Sequence, residues 1–74
     1  MRWECRYSSC EMLYLEMTET DVRCYLDHSV ENASHWTFEQ VVEGAMDREV
    51  ANLFTDEEIE EVKAMARERI RQTD

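Results

Sequence analysis

Two helix-start signals in the second half of the chain constrain the fold more than any other feature. Thr37 is followed three residues later by Gln40, and Thr55 is followed in the same way by Glu58. At this spacing a Thr hydroxyl accepts a hydrogen bond from the backbone three residues on, and the Gln or Glu side chain returns one, which is typical of a capping box. Both signals precede apolar residues at helical spacing. We therefore predict two helices, over about 38–52 and 56–71.

Each predicted helix carries one apolar stripe that would face a shared core. The first comprises Phe38, Val41, Val42, Ala45, Met46 and Val50, and the second Ile59, Val62, Met65, Ala66 and Ile70. Gly44 interrupts the first helix, and we expect it to mark close packing against a neighbouring element. Only Leu53 and Phe54 separate the end of the first helix from the cap of the second, so we expect a tight corner.

Residues 2–28 show the alternation of strands rather than a helical period. Turns at Ser8-Ser9 and at Thr18–Asp21 would fold this region into a three-stranded antiparallel meander. The first turn would set Trp3 opposite Tyr14, and the second would set Leu15 opposite Cys24, so that apolar residues meet apolar residues. In this register four aromatic residues share one sheet face: Trp3, Tyr7, Tyr14 and Tyr25. Residues 29–36 are polar and aperiodic and are predicted to form a crossing loop.

The fold class that follows is α+β, with the meander followed by the two helices in one small domain over residues 1–74. An all-α four-helix arrangement is the alternative, because Ser8 with Glu11 and Thr18 with Asp21 also match the spacing of a capping box. A chain of 74 residues buries only about 60% of the surface of its unfolded state, so the core is expected to be thin.

The charge balance narrows the classes of function. The chain has 18 acidic and 8 basic residues and a formal net charge of −10. Such a protein repels nucleic acid and anionic lipid and favours partners with basic surfaces. The sequence contains no apolar run long enough to cross a membrane and no secretory pattern near residue 1. Its three cysteines have no disulfide-framework spacing, so we expect free thiols in the cytoplasm, the host cytoplasm if the chain is phage-encoded.

The excess negative charge is concentrated in the region of the two helices. Between residues 39 and 61 lie nine acidic residues and a single basic one, Arg48. Glu39, Glu43 and Asp47 recur every four residues, which on one helix would place them in a row at about 6 Å intervals. A row of this kind is typical of a solvated helix face, and it could also occupy a basic groove that tracks a phosphate backbone. The candidate partner contacts are Glu39, Glu43, Asp47, Asp56, Glu57, Glu60 and Glu61.

Metal binding and catalysis have weaker support. Cys5, Cys10, Cys24 and His28 form a candidate zinc set, but their spacing lacks the two-residue gaps of structural zinc sites. In the predicted register, moreover, Cys5 and Cys10 lie on one face of the sheet, and Cys24 and His28 on the other. We expect no cofactor. A Cys/His nucleophile would require a cleft and an orienting group, so we also expect no enzymatic activity.

In size, acidity and absence of catalytic motifs the chain resembles the small acidic inhibitors that phages deploy against restriction and CRISPR systems. The resemblance implies a non-enzymatic protein that blocks the surface of a larger, nucleic-acid-binding partner without touching nucleic acid or membrane. Two alternatives stay open. One is a zinc-stabilised regulatory domain, and the other is a homodimeric adaptor that pairs through its aromatic sheet face.

Overall fold

The computed structural model describes residues 1–27 and 29–73. Four antiparallel strands come first and helices follow, so the predicted α+β class is confirmed and the all-α alternative is wrong. The strands are β1 (Arg2–Arg6), β2 (Met12–Met17), β3 (Val22–Leu26) and β4 (Ser34–Trp36). The helices are α1 (Phe38–Val42), α2 (Arg48–Ala51) and α3 (Asp56–Thr73). The strands lie in the sheet in chain order, as a meander does.

The prediction of three strands misses β4. Residues 29–36 are not a simple crossing loop: a short 3-10 turn at Val30–Asn32 leads into β4, which pairs with β3. Trp36 lies opposite Val22 and is buried, while the other two residues of β4 are exposed. A strand of three residues with one buried side chain is too short to show alternation in the sequence.

The pairing of β2 with β3 follows the predicted register. Leu15 lies opposite Cys24, and the remaining pairs agree as well. The turn between these strands is held by Thr18, whose hydroxyl accepts hydrogen bonds from the backbone nitrogens of Thr20 and Asp21 and donates to Asp21 Oδ1 at 2.6 Å. The same Thr-to-Asp spacing that resembles a helix cap therefore closes a hairpin.

The pairing of β1 with β2 differs from the predicted register by one residue. Trp3 lies opposite Leu15, not opposite Tyr14. Because side chains alternate along a strand, a shift of one residue moves a whole strand's apolar set to the other face of the sheet. Trp3 and Cys5 therefore face the core, and the predicted face of four aromatic residues does not form. The cause is the turn, since the backbone nitrogens of Tyr7 and Ser8 both donate to Glu11 O and make the connection longer.

Both predicted capping boxes are present. Gln40 N donates to Thr37 Oγ1 at 3.1 Å, and Thr37 N donates to Gln40 Oε1 at 2.9 Å. Thr55 and Glu58 exchange the equivalent bonds at 3.1 and 2.9 Å. These bonds satisfy backbone donors that have no partner within the helix. The second predicted helix is confirmed as α3, with Val62 and Ala66 fully buried along its inner side.

The predicted helix over 38–52 is broken after its first turns. Gly44 has a φ of +80°, Gly44 N donates to Val41 O at 3.1 Å, and Ala45 N donates to Gln40 O at 2.8 Å. These two bonds and the left-handed glycine form a Schellman motif, which ends a helix. A Cβ at Gly44 would meet no atom within 4 Å. The glycine therefore serves the backbone turn, and the expectation that it marks close packing is wrong.

One face of the sheet carries the core. Trp3, Leu13, Leu15, Met17, Val22 and Cys24 point from the strands towards α1 and α3, and Val41, Phe54, Val62 and Ala66 meet them from the helical layer. Trp3 Nε1 donates to Glu61 Oε1 at 3.1 Å, which joins β1 to α3. At the other end of α3, Arg69 Nη1 donates to Thr18 O at 3.4 Å. The long helix thus runs along the sheet from the acidic segment to the turn between β2 and β3.

Candidate protein-interaction site

Nine carboxylates, here called the acidic surface, occupy the helical side of the molecule. They lie on α1, α2, the linkers beside them and the first two turns of α3: Glu39, Glu43, Asp47, Glu49, Asp56, Glu57, Glu58, Glu60 and Glu61. All seven residues predicted as partner contacts are exposed. The folded chain therefore leaves each of these seven side chains accessible to another molecule.

The three residues predicted to form one helical row do not share a helix. Glu39 lies in the first turn of α1, and Glu43 is its C-terminal cap. Asp47 follows the Gly44 turn and precedes α2 with extended backbone, at φ −52° and ψ 135°. The evenly spaced row is therefore wrong in its geometry, because the helix ends at Gly44, between the second and third members of the row.

No carboxylate of the acidic surface forms an ion pair with a described residue. The ion pairs found within residues 1–27 and 29–73 join Arg23 to Glu16, His35 to Asp21 and Arg71 to Glu68. Arg48 is the sole basic residue in this stretch of sequence, and it forms no ion pair with a described residue. Like charges held close together at an exposed site raise the local negative potential and attract cationic groups.

Two members of the acidic surface also accept hydrogen bonds that stabilise the fold. Glu58 accepts the hydrogen bond of the second capping box, and Glu61 accepts the Trp3 indole hydrogen. Asp56, Glu57 and Glu58 fill the first turn of α3 and complement the positive end of the helix dipole. Part of the acidic surface is therefore explained by helix stability. Glu39, Glu43, Asp47 and Glu49 have no side-chain hydrogen bond of this kind within the described residues.

The outer face of the sheet, opposite the core, carries a second surface. It differs from the predicted aromatic face because Trp3 is not part of it. Tyr14 and Tyr25 lie side by side with ring centroids 5.4 Å apart. Arg2 covers the Tyr14 ring at 4.6 Å, and Arg23 covers the Tyr25 ring at 5.1 Å while it pairs with Glu16. Arginines over aromatic faces are favourable cation–π contacts. Each tyrosine ring is therefore covered by an arginine. Tyr14 and Tyr25 do not form the broad exposed aromatic face that a homodimer was expected to use.

The cysteines do not gather at one point. Cys5 and Cys24 face the core, and Cys10 is exposed in the turn after β1. Burial raises the pKa of the Cys24 thiol to about 11, so this thiol is neutral at pH 7. Among residues 1–27 and 29–73, no three or more His, Cys, Asp or Glu side chains come together as metal ligands would. The fourth member of the candidate zinc set, His28, lies outside the described residues.

An apolar pocket at the end of the sheet escaped the sequence analysis. It has a volume of about 340 Å³ and lies between the ends of β2 and β3 and helix α2. Val50 of the single-turn helix α2 and Leu53 after it line the pocket on its helical side. The lone glycine could have predicted the end of α1, but no local signal in the sequence predicts the pocket.

The chain matches no protein-family model, no curated protein and no solved structure. Within the part of the chain that the structure describes, no helix has the length and apolar character required to cross a membrane.

Proposed function

We propose that this protein is a non-enzymatic inhibitor that occupies the basic, nucleic-acid-binding surface of a larger protein. The observation that carries the proposal is the acidic surface: seven exposed candidate contacts, none of which has a cationic partner among the described residues. A protein groove that binds a phosphate backbone presents closely spaced Lys and Arg. Carboxylates on a folded surface supply the opposite charge without nucleic acid.

The proposal gives this protein the role of the small acidic inhibitors that phages deploy against restriction and CRISPR systems, and it assigns the action to the cytoplasm. Binding would rest on electrostatic complementarity, which accelerates association and weakens as salt increases. The charge of the whole molecule supports the same partner class, since a net charge of −10 disfavours direct contact with nucleic acid or anionic lipid.

The test compares two variants with equal net charge. Immobilised protein is exposed to cell lysate at low salt, and bound proteins are eluted with salt and tested for displacement by duplex DNA. The first variant reverses Glu43, Asp47 and Glu57 to Lys, and the control reverses Glu4, Glu19 and Glu31, which are also exposed but lie outside the acidic surface. Each variant changes the net charge from −10 to −4.

We expect the first variant to lose a DNA-competed basic partner that the control variant retains. Equal loss of the partner by both variants would show that overall charge, and not the acidic surface, drives binding. Retention of the partner by the first variant at the wild-type level would refute the proposal.

A further inference from the structure

The apolar pocket has a buried floor and a mixed rim, on which the exposed side chains of Tyr7 and Leu53 stand beside polar ones. The polar lining residues are Ser29, Asn32, Ser34 and Glu49. Leu13 and Cys24 are buried beneath it, and Leu26 and Val50 are half-buried at its sides. Four large apolar side chains among the described residues are exposed, and two of them, Tyr7 at 53% and Leu53 at 41%, line this pocket. Exposed apolar groups that gather around a concavity mark interaction sites more often than scattered ones do.

The pocket is large enough to receive one large side chain. Its volume of about 340 Å³ lies near the lower limit of small-molecule sites, which range from about 300 to 1,000 Å³. Interfaces commonly seat one aromatic or long aliphatic anchor in a pocket of this kind, and such anchors supply much of the binding energy. The neutral thiol of Cys24 keeps the floor apolar at pH 7, because burial raises its pKa to about 11.

The charge at the pocket wall favours positively charged residues beside that anchor in the partner. Glu49 lines the pocket, is exposed, and forms no ion pair with a described residue. It also belongs to the acidic surface, so one carboxylate of that surface lies at the pocket. A partner that meets this region needs an apolar group beside a positive charge.

We propose that the pocket receives a protruding apolar side chain of the protein partner, flanked in the partner by Lys or Arg that pairs with Glu49. The inference rests on the proposed function for the identity of the partner. The pocket's own preference for an apolar group beside a cation can be measured without any partner. The apolar side chain would add to the charged contact a contribution to binding that salt does not screen.

The experiment uses three tripeptides as probes for the full-length protein, followed by two-dimensional amide NMR. The first is acetyl-Lys-Phe-Lys-amide, the second has the same anchor with opposite charge, acetyl-Glu-Phe-Glu-amide, and the third has the same charge without the anchor, acetyl-Lys-Ala-Lys-amide. We expect the first to give saturable shifts at Leu13, Cys24, Leu26 and Val50. The second should bind more weakly, and the third should leave these resonances unmoved.

Two pairs of variants test the pocket and its charge separately. Ser34→Phe places a large side chain at an exposed lining position and should block the first peptide, whereas Ser9→Phe, exposed in the turn after β1, should not. Glu49→Gln should weaken the first peptide by about two- to fivefold, the range of an exposed ion pair, and should leave pocket binding intact. Glu43→Gln removes a carboxylate that does not line the pocket and should have a smaller effect.

Equal shifts from the Phe and Ala peptides, spread over the acidic residues, would overturn the inference by showing attraction to charge alone. Absence of any shift at the pocket would overturn it as well. Neither result bears on the pull-down described above, because the proposed inhibitor can bind through its carboxylates without an anchor. Conversely, loss of the DNA-competed partner would leave a positive peptide result standing.

Discussion

Trp3 connects the two layers of the molecule through a single side chain. Its ring is buried at 7% exposure in the core, and its Nε1 donates to Glu61 on α3 at 3.1 Å. A charged acceptor at the edge of the core strengthens such a bond, while partial exposure of Glu61 weakens it. The indole therefore has both an apolar and a polar role in fixing α3 against β1.

A double-mutant cycle on Trp3 and Glu61 measures this connection. Trp3→Phe keeps most of the apolar packing and removes the donor, and Glu61→Ala removes the acceptor. We expect a coupling free energy of about 0.5–1.5 kcal/mol from urea unfolding, the usual net contribution of one hydrogen bond. Glu60→Ala is the control, because Glu60 is the exposed neighbour without such a bond. Coupling of Trp3 to Glu60 equal to that with Glu61 would show that the indole responds to the general negative field.

Asp21 makes the turn between β2 and β3 sensitive to acid. The Thr18 hydroxyl hydrogen bond, and secondly the hydrogen bond with His35, lower the pKa of the Asp21 carboxyl below its usual value of 3.8. A carboxyl whose pKa is lowered by folding stabilises the folded state above the unfolded pKa, and this contribution disappears as the pH falls through the folded pKa.

We therefore expect Asp21→Asn to destabilise the protein at pH 5 and to approach the wild type in stability well below pH 3.8. Unfolding in urea between pH 2 and pH 5 measures the difference. Glu19→Gln is the control, because Glu19 is exposed in the same turn and lacks these hydrogen bonds. A destabilisation by Asp21→Asn that is constant across this pH range would contradict the assignment, since a steric effect does not titrate.

At the scale of the elements, Gly44 ends α1 and so divides the helical layer. Gly44→Ala should destabilise the fold by about 1–2 kcal/mol, the cost of a side chain in the left-handed region. The cost is conformational, because the added Cβ would meet no atom within 4 Å. Gly44→Asn should cost less, since Asn tolerates this conformation better. Equal losses for both variants, measured by thermal or urea unfolding, would contradict this explanation.

The elements that could be predicted from the sequence are those whose signals are local. The capping boxes of α1 and α3 depend on residues three positions apart, and the turn at Thr18 fixes the β2–β3 register with four residues. The β1–β2 register depends instead on how many residues the connection after Arg6 uses. In either register Trp3 and Cys5 lie opposite apolar residues of β2, so the pattern alone could not separate the two registers. The end of α1 required knowledge that Gly44 adopts a positive φ.

Some features of the candidate site could likewise be predicted from the sequence, and others could not. The seven candidate carboxylates were chosen from the density of charge in the sequence, and all seven are exposed in the structure. Their arrangement did not follow from the sequence, because the row of Glu39, Glu43 and Asp47 assumed one straight helix. The pocket could not be predicted, since the residues that line it are spread along the sequence from Tyr7 to Leu53. Features that depend on the path of the chain between elements need the three-dimensional structure.

For the whole molecule, the net charge of −10 predicts that stability depends on salt. The acidic surface lies on the helical layer, so folding gathers its carboxylates while the unfolded chain spreads them apart. Their repulsion is screened beyond a distance of about 10 Å at 0.1 M salt. The unfolding free energy should therefore increase from low salt up to about this concentration and then change little.

Reversal of Glu43, Asp47 and Glu57 to Lys should raise stability at low salt and flatten this dependence, because it adds cations among unpaired carboxylates. Reversal of Glu4, Glu19 and Glu31 gives the same net charge but should flatten it less, since these residues are spread over the sheet side and its turns. Urea unfolding at a series of sodium chloride concentrations measures both slopes. Equal slopes would mean that repulsion is a property of net charge alone. A steeper slope for the control would place the repulsion within the acidic surface, as the unpaired carboxylates around α1 and α2 require.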